Sequence, residues 1–311
     1  MPRTVHYPDM IAPISKATPL DYALMGVTAF VWASAFVAIK VVVPETGPLW
    51  LATWRVLIGF IVLTPYVLWR GVVLPKGGSV WLWLTVAAIF NVTLPFFLIS
   101  WAEQTIDAGV ASLLMGTGPF LALIGSHLST DDDKLTLPKT IAVMLGFAGV
   151  VTIVGVDALS GLGGENTLAQ LAAVAGAMSY VIAGLMVRKI DLPPLRMGWL
   201  ILGIGAAILL VLAPLISGAP NLSLGPTAFW ALVYLGLFPT GLGQILRMVL
   251  ITKVGYSVFS LSLNLIPIIG VGLGALLLGE VITIRTALAL VLVLSGLFIS
   301  RMEFGGKAKK A

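Results

Sequence analysis

Two side-chain amides, Asn91 and Gln244, lie within long apolar runs of this chain. An amide in such a place must be satisfied, and it can hold a neutral ligand by hydrogen bonds. Asn91 shares a helical face with Leu94, Leu98 and Trp101, and Pro95 interrupts the same run. Gln244 shares a face with Thr240 and Met248, just after Pro239, Gly241 and Gly243. Gly116, Gly118 and Pro119 interrupt a third run; Ser260, Asn264 and Pro267 mark a fourth. Trp32, Ser34 and Phe36, with Ser179 and Tyr180, add hydroxyls and aromatic surface. The mixture suits a small zwitterion with an apolar side chain. Its carboxylate can use helix ends or backbone amides freed at the Pro/Gly breaks. We therefore expect binding from Asn91, Trp101, Gln244, Asn264, Trp32, Ser34, Tyr180 and Ser260. Helix breaks or hinges are expected at Pro95, Gly116, Pro119, Pro239, Gly243 and Pro267. A structural alternative stands beside this one. Buried serines bond their own or a neighbouring helix, and Trp101 and Tyr180 can be interfacial anchors.

Other chemistry finds little support. There is no cysteine, and the two histidines, His6 and His127, are far apart. The Asp and Glu residues fall at the ends of apolar runs or in loops, among them Asp21, Glu45, Glu103, Asp107 and Glu280. With no nucleophile–base pair, carboxylate pair or HExxH motif, no catalytic residue, metal or cofactor is expected. A passive channel lacks a charged or carbonyl-rich filter motif. Without a central carboxylate, proton-driven cation efflux is disfavoured against facilitated movement or exchange of neutral molecules.

These groups must be carried by membrane helices. The chain returns ten times to stretches of about twenty apolar residues, each long enough to cross roughly 30 Å of hydrocarbon. We place them at 20–43, 47–69, 79–101, 107–127, 138–157, 167–187, 197–217, 226–249, 256–278 and 282–300. Hydrophobic residues are 59% and charged residues 10% of the chain, against about 25% charged in soluble proteins. With the N-terminus inside, all of the 18 Lys and Arg except Lys40, Arg55 and Arg285 fall on the cytoplasmic side. Both termini and the acidic loop 131–133 are then cytoplasmic, and Glu280 faces out. Arg55 and Arg247, read as near span ends, can snorkel. The basic residues are too scattered for a nucleic-acid surface, and the apolar run past Ala33-Ser34-Ala35 is too long for a cleaved leader.

The two halves repeat. Gly109, Ser112, Gly116 and Pro119 have the spacing of Ser257, Ser260, Asn264 and Pro267. Leu135-Thr136-Leu137 matches Ile282-Thr283-Ile284, and Trp83 matches Trp230. An odd number of spans per copy inserts the copies upside-down relative to each other, a recurring plan of secondary transporters. Gly270 and Gly274 read as a helix-packing GxxxG pair. We divide the chain into a tail 1–19, repeats 20–160 and 161–301, and a solvated tail 302–311.

In order along the chain, Trp32-Ala33-Ser34-Ala35-Phe36, Arg55, the segment from Ala108 to Pro119, and Gly255 through Pro267 to Gly279-Glu280 resemble the EamA-type drug/metabolite transporters. Within that superfamily the chain is similar to the YddG-like amino-acid exporters. The resemblance spans nearly the whole chain. It implies an all-α polytopic protein of the bacterial inner membrane, ten helices in two inverted repeats. It also implies export of small neutral metabolites, foremost amino acids with aromatic or other apolar side chains, by alternating access in a monomer. Export of other metabolites or drugs remains the alternative. Where the second repeat has Gly279-Glu280, the first has Ser129-Thr130-Asp131-Asp132-Asp133, which weakens any specific role for an acid there.

Overall fold

The computed structural model describes residues 16–69, 71, 74–129, 136–154, 165–187, 189–254 and 256–300. The acidic loop 131–133 and the tail 302–311 lie outside the described residues.

The first turn shows how local sequence fixes the helix ends. Thr18 and Asp21 form a reciprocal capping box ahead of α1 (Pro19–Thr46), with Pro19 at the first position, where its missing N–H costs nothing. Gly47 ends α1 at φ 70°, a conformation other residues rarely adopt. Pro48 starts α2 (Pro48–Trp69) at once, so the chain reverses within one residue. The third span joins α3 (Gly78–Ala88) to α4 (Leu94–Ala102) through a π-turn at Ile89–Thr93. The fourth is broken into α5 (Ala108–Met115) and α6 (Gly118–Ser129) at Gly116. Then come α7 (Leu137–Val154), α8 (Glu165–Val187) and α9 (Pro194–Ser217). The eighth span joins α10 (Pro226–Leu235) to α11 (Gly243–Val254) through a second π-turn at Gly236–Leu242. The ninth is broken at Asn264 into α12 (Tyr256–Leu263) and α13 (Leu265–Leu278), and α14 (Ile284–Ile299) is the tenth.

The protein is thus an all-helical, multi-pass membrane protein. Among the described residues, eight helical spans are long and apolar enough to cross a bilayer; α13 and α14 are shorter apolar helices. We call the end where α1 starts proximal and the end at Gly47 distal.

Packing alternates between the halves. α1 lies against α10 and α13, while α8 lies against α4, α5 and α6. So the first helix of each half packs on the broken helices of the other. α2 pairs with α9 and α7 with α14. One buried cluster runs through α1, α5, α13 and α14, a second through α2, α3 and α9, and Trp54 and Tyr180 touch both.

Candidate functional site

The interruptions put polar groups where lipid cannot serve them, so the protein must. Pro239 has no N–H to give Leu235 O, and the hydroxyl of Thr240 donates to that carbonyl instead, at 2.8 Å. Within the same π-turn, Gly243 N reaches back to Phe238 O. Pro239 O is filled by the Trp32 indole of α1, at 3.0 Å. Gly59 of α2 makes room for this turn, because a Cβ there would stand 2.6 Å from Thr240 Cγ2. In the third span Pro95 likewise withholds an N–H from Asn91 O.

Arg55 is anchored on this arrangement. Its Nε donates to Thr240 Oγ1 at 2.9 Å, and its guanidinium carbon lies 3.9 Å from the centroid of the Phe96 ring on α4. It is only 7% exposed. This corrects the expectation that Arg55 snorkels from a span end. α2 begins at Pro48, two turns earlier, and the guanidinium is held inside by Thr240 and Phe96. Among the described residues no carboxylate lies within ion-pair distance of it. Span position alone could not reveal this residue, since its partner is 185 positions away.

The other expected binding residues occupy varied places. Asn91 sits half-buried in the first π-turn, which adds a residue to one turn and so shifts its register against Leu98 and Trp101. Gln244 is half-buried with its amide against Gly198 of α9. Asn264 is half-buried at the break between α12 and α13. Trp32 packs edge-on to Phe259, with ring centroids 6.1 Å apart. Ser34 donates to Val31 O and accepts from the Tyr234 hydroxyl. Tyr180 is half-buried between the two clusters. Trp101 is 37% exposed at the distal end of α4. The Ser260 side chain lies outside the described part of α12. Of the expected breaks, Pro95 and Pro239 fall at or in the π-turns, Gly116 and Pro119 flank the break in the fourth span, Gly243 opens α11, and Pro267 lies in the first turn of α13.

At the distal end the halves are sealed together. The face carrying Gly109, Ser112 and Gly116 meets Pro267, Gly270, Val271 and Gly274 of α13. A Cβ on Gly270 would collide with Ser112 Oγ, and one on Gly274 with Glu280 Oε2. The GxxxG pair thus serves close helix approach. Glu280 closes the seam: its carboxylate accepts from the amides of Ala108 at 2.7 Å and Gly109 at 2.9 Å, at the positive end of α5. The doubt about an acid at this position is therefore removed for the second repeat. Glu45 does a similar job for α10, accepting from Gly225 N at 2.7 Å. At the proximal end no comparable packing joins α6 to α12 among the described residues. There the acid of the capping box, Asp21, pairs with Lys253 at 2.7 Å.

Ten spans, with helices broken at matching places in both halves, are the plan of a membrane transporter. The chain belongs to the EamA-like transporter family, whose model matches residues 21–155 and 167–302. It is 28% identical over 211 residues to the uncharacterized transporter YoaV of Bacillus subtilis, covering 67% of this chain and 71% of that one. It is 26% identical over 285 residues to an uncharacterized transporter of Archaeoglobus fulgidus, with 90% and 96% covered. To the uncharacterized inner membrane transporter YedA of Escherichia coli it is 27% identical over 274 residues, 85% of each chain. A solved crystal structure shares the fold, with a TM-score of 0.61 over 91% of this chain and 98% of that chain, at 21% identity.

Proposed function

We propose that this transporter exports small neutral amino acids with aromatic or other apolar side chains, by alternating access, as the YddG-like exporters do. The observation that carries the reading is Arg55. A guanidinium sequestered among helices, with an aromatic face, one hydroxyl and, among the described residues, no carboxylate within ion-pair distance, is a buried cation without a direct ionic partner. A substrate carboxylate supplies the missing charge. Asn91, at the adjoining π-turn, and Gln244 and Asn264, at the matching breaks, are the neutral hydrogen-bond partners we assign to the rest of a zwitterion. Trp32, Ser34, Tyr180, Ser260 and Trp101 complete the surface we assign to binding. The breaks at Pro95, Gly116, Pro119, Pro239, Gly243 and Pro267 serve as hinges.

In this reading the protein is a monomer in the plasma membrane of a bacterium. The proximal end and both termini are cytoplasmic, in line with the distribution of Lys and Arg. The sealed distal seam then corresponds to a cytoplasm-facing state. Proteoliposomes preloaded with unlabelled leucine or phenylalanine test it. We expect saturable uptake of the radiolabelled amino acid by exchange, largely lost in Arg55→Gln. Exchange of an organic cation or a nucleotide, with none of the amino acids, overturns the reading.

A further inference from the structure

We propose that Glu103 is a proton-binding site, occupied while the distal seam is closed. The residue follows the last turn of α4, and the chain there does not run out into solvent. It folds back through consecutive turns, with Gln104 N on Trp101 O and both Thr105 N and Ile106 N on Ala102 O. The side chain is carried inward to 0% exposure. Glu103 lies at the end of its apolar run, as expected, but buried there. Both carboxyl oxygens lie buried with no hydrogen-bond partner among the described residues.

Every charged or titratable group around Glu103 is committed elsewhere or set apart. From α1, the Lys40 ammonium donates to two backbone carbonyls, Glu103 O at 2.9 Å and Ile106 O at 2.7 Å, which pins the turn. From α2, Arg55 is held by Thr240 and Phe96. From α8, Tyr180 is half-buried. Glu280, after α13, is engaged with the amides of Ala108 and Gly109. Asp107, in the same loop as Glu103, is exposed. An ionised carboxylate with no donor in such a place loses its hydration and has only the attraction of Lys40 and Arg55 to offset that. A carboxyl that carries a proton removes the charge. Burial pushes this group, just beyond the end of the third span, well above the usual carboxylate range; Lys40 and Arg55 pull the other way, and Glu280 adds to the rise.

The location gives the proton a route. Glu103 stands one short loop before α5, whose first amides Glu280 holds. When the seam parts, distal water reaches this loop; a hydronium gives its proton to a Glu103 oxygen, forming an O–H bond and leaving water. When the seam closes the proton is held. Any coupling to substrate rests on the proposed function: a carboxylate arriving at Arg55 adds negative charge near Glu103 and favours its neutral form.

Infrared spectra of the purified protein in liposomes, with no substrate present, test the site. Wild type should show a protonated-carboxyl C=O band at neutral pH that vanishes on alkalinisation. The band should be absent in Glu103→Gln and retained in Asp107→Asn. Its absence from wild type, or its persistence in Glu103→Gln, overturns the assignment. Thermal melting gives a second reading. A group whose protonated form the fold favours stabilises at low pH, and that stability is lost as pH rises through its folded pKa. Wild type should therefore lose melting temperature on alkalinisation more than Glu103→Gln does; parallel curves overturn the proposal. If Glu103→Gln does not fold, Glu103→Asp must move the band, and an unmoved band overturns it. Because no substrate is used, failure here leaves the amino-acid reading untouched.

Discussion

Thr240 holds two structures with one hydroxyl. Its hydrogen serves the carbonyl that Pro239 leaves open, and its lone pair receives Arg55. Thr240→Val keeps the shape and removes both bonds. It should lower stability by about 1–3 kcal/mol, while Thr240→Ser stays near wild type; melting in detergent reads the difference. The two amides make a second prediction. Removing a buried hydrogen-bond partner costs roughly 5- to 150-fold in binding. Asn91→Ala and Gln244→Ala should lose transport on that scale at normal membrane expression. Ser295→Ala in α14 is the control, and amide variants that match it remove both residues from the site. The sequence displayed these amides, because an Asn or Gln in an apolar run stands out. It hid Arg55 and Glu103. Glu103 sits at the edge of an apolar run and Arg55 two turns inside one, near enough to an end to read as solvated, and the contacts that hold them come from distant helices.

The breaks were foreseeable at the level of the element, since Pro and Gly recur at matching places in spans three, four, eight and nine. That two of them are π-turns was not, because the carbonyls they open are satisfied from elsewhere: Trp32 reaches across 207 positions to do so. Small residues on α5 and α13 were legible as packing faces, though nothing in their spacing said that these two faces meet each other. The seam they form makes a prediction. A carboxylate at a helix N-terminus contributes about 0.3–2 kcal/mol. Glu280→Gln should therefore shift the balance toward the distally open form by roughly 2- to 30-fold. Val271→Cys, 5% exposed in the closed seam, should react correspondingly faster with an impermeant thiol reagent added from the distal side. An unchanged rate would mean that Glu280 is no latch.

For the molecule as a whole, apolar length and the bias of basic residues set the number of crossings and their expected direction. The native chain has no cysteine, so single cysteines report sidedness cleanly. Ser223→Cys, exposed in the distal loop before α10, should label only from outside the cell. Ser79→Cys, exposed at the start of α3, should label only from within. The opposite pattern would invert the assignment of inside and outside. What the sequence could not disclose is which helices are neighbours, and the interleaved packing bears on how the chain is made. α1 enters the bilayer ahead of α2 to α14, yet its partners α10 and α13 belong to the other half. Ser34 waits for Tyr234, 200 positions later. At about 5–20 residues per second of synthesis, that interval is roughly 10–40 s. Through it, Trp32 has no carbonyl to bond, whereas Lys40 waits only for the turn at Glu103, 63 positions on. Newborn α1 must therefore be sheltered by lipid or by the insertion machinery, and substitutions in it should be felt in yield before they are felt in activity.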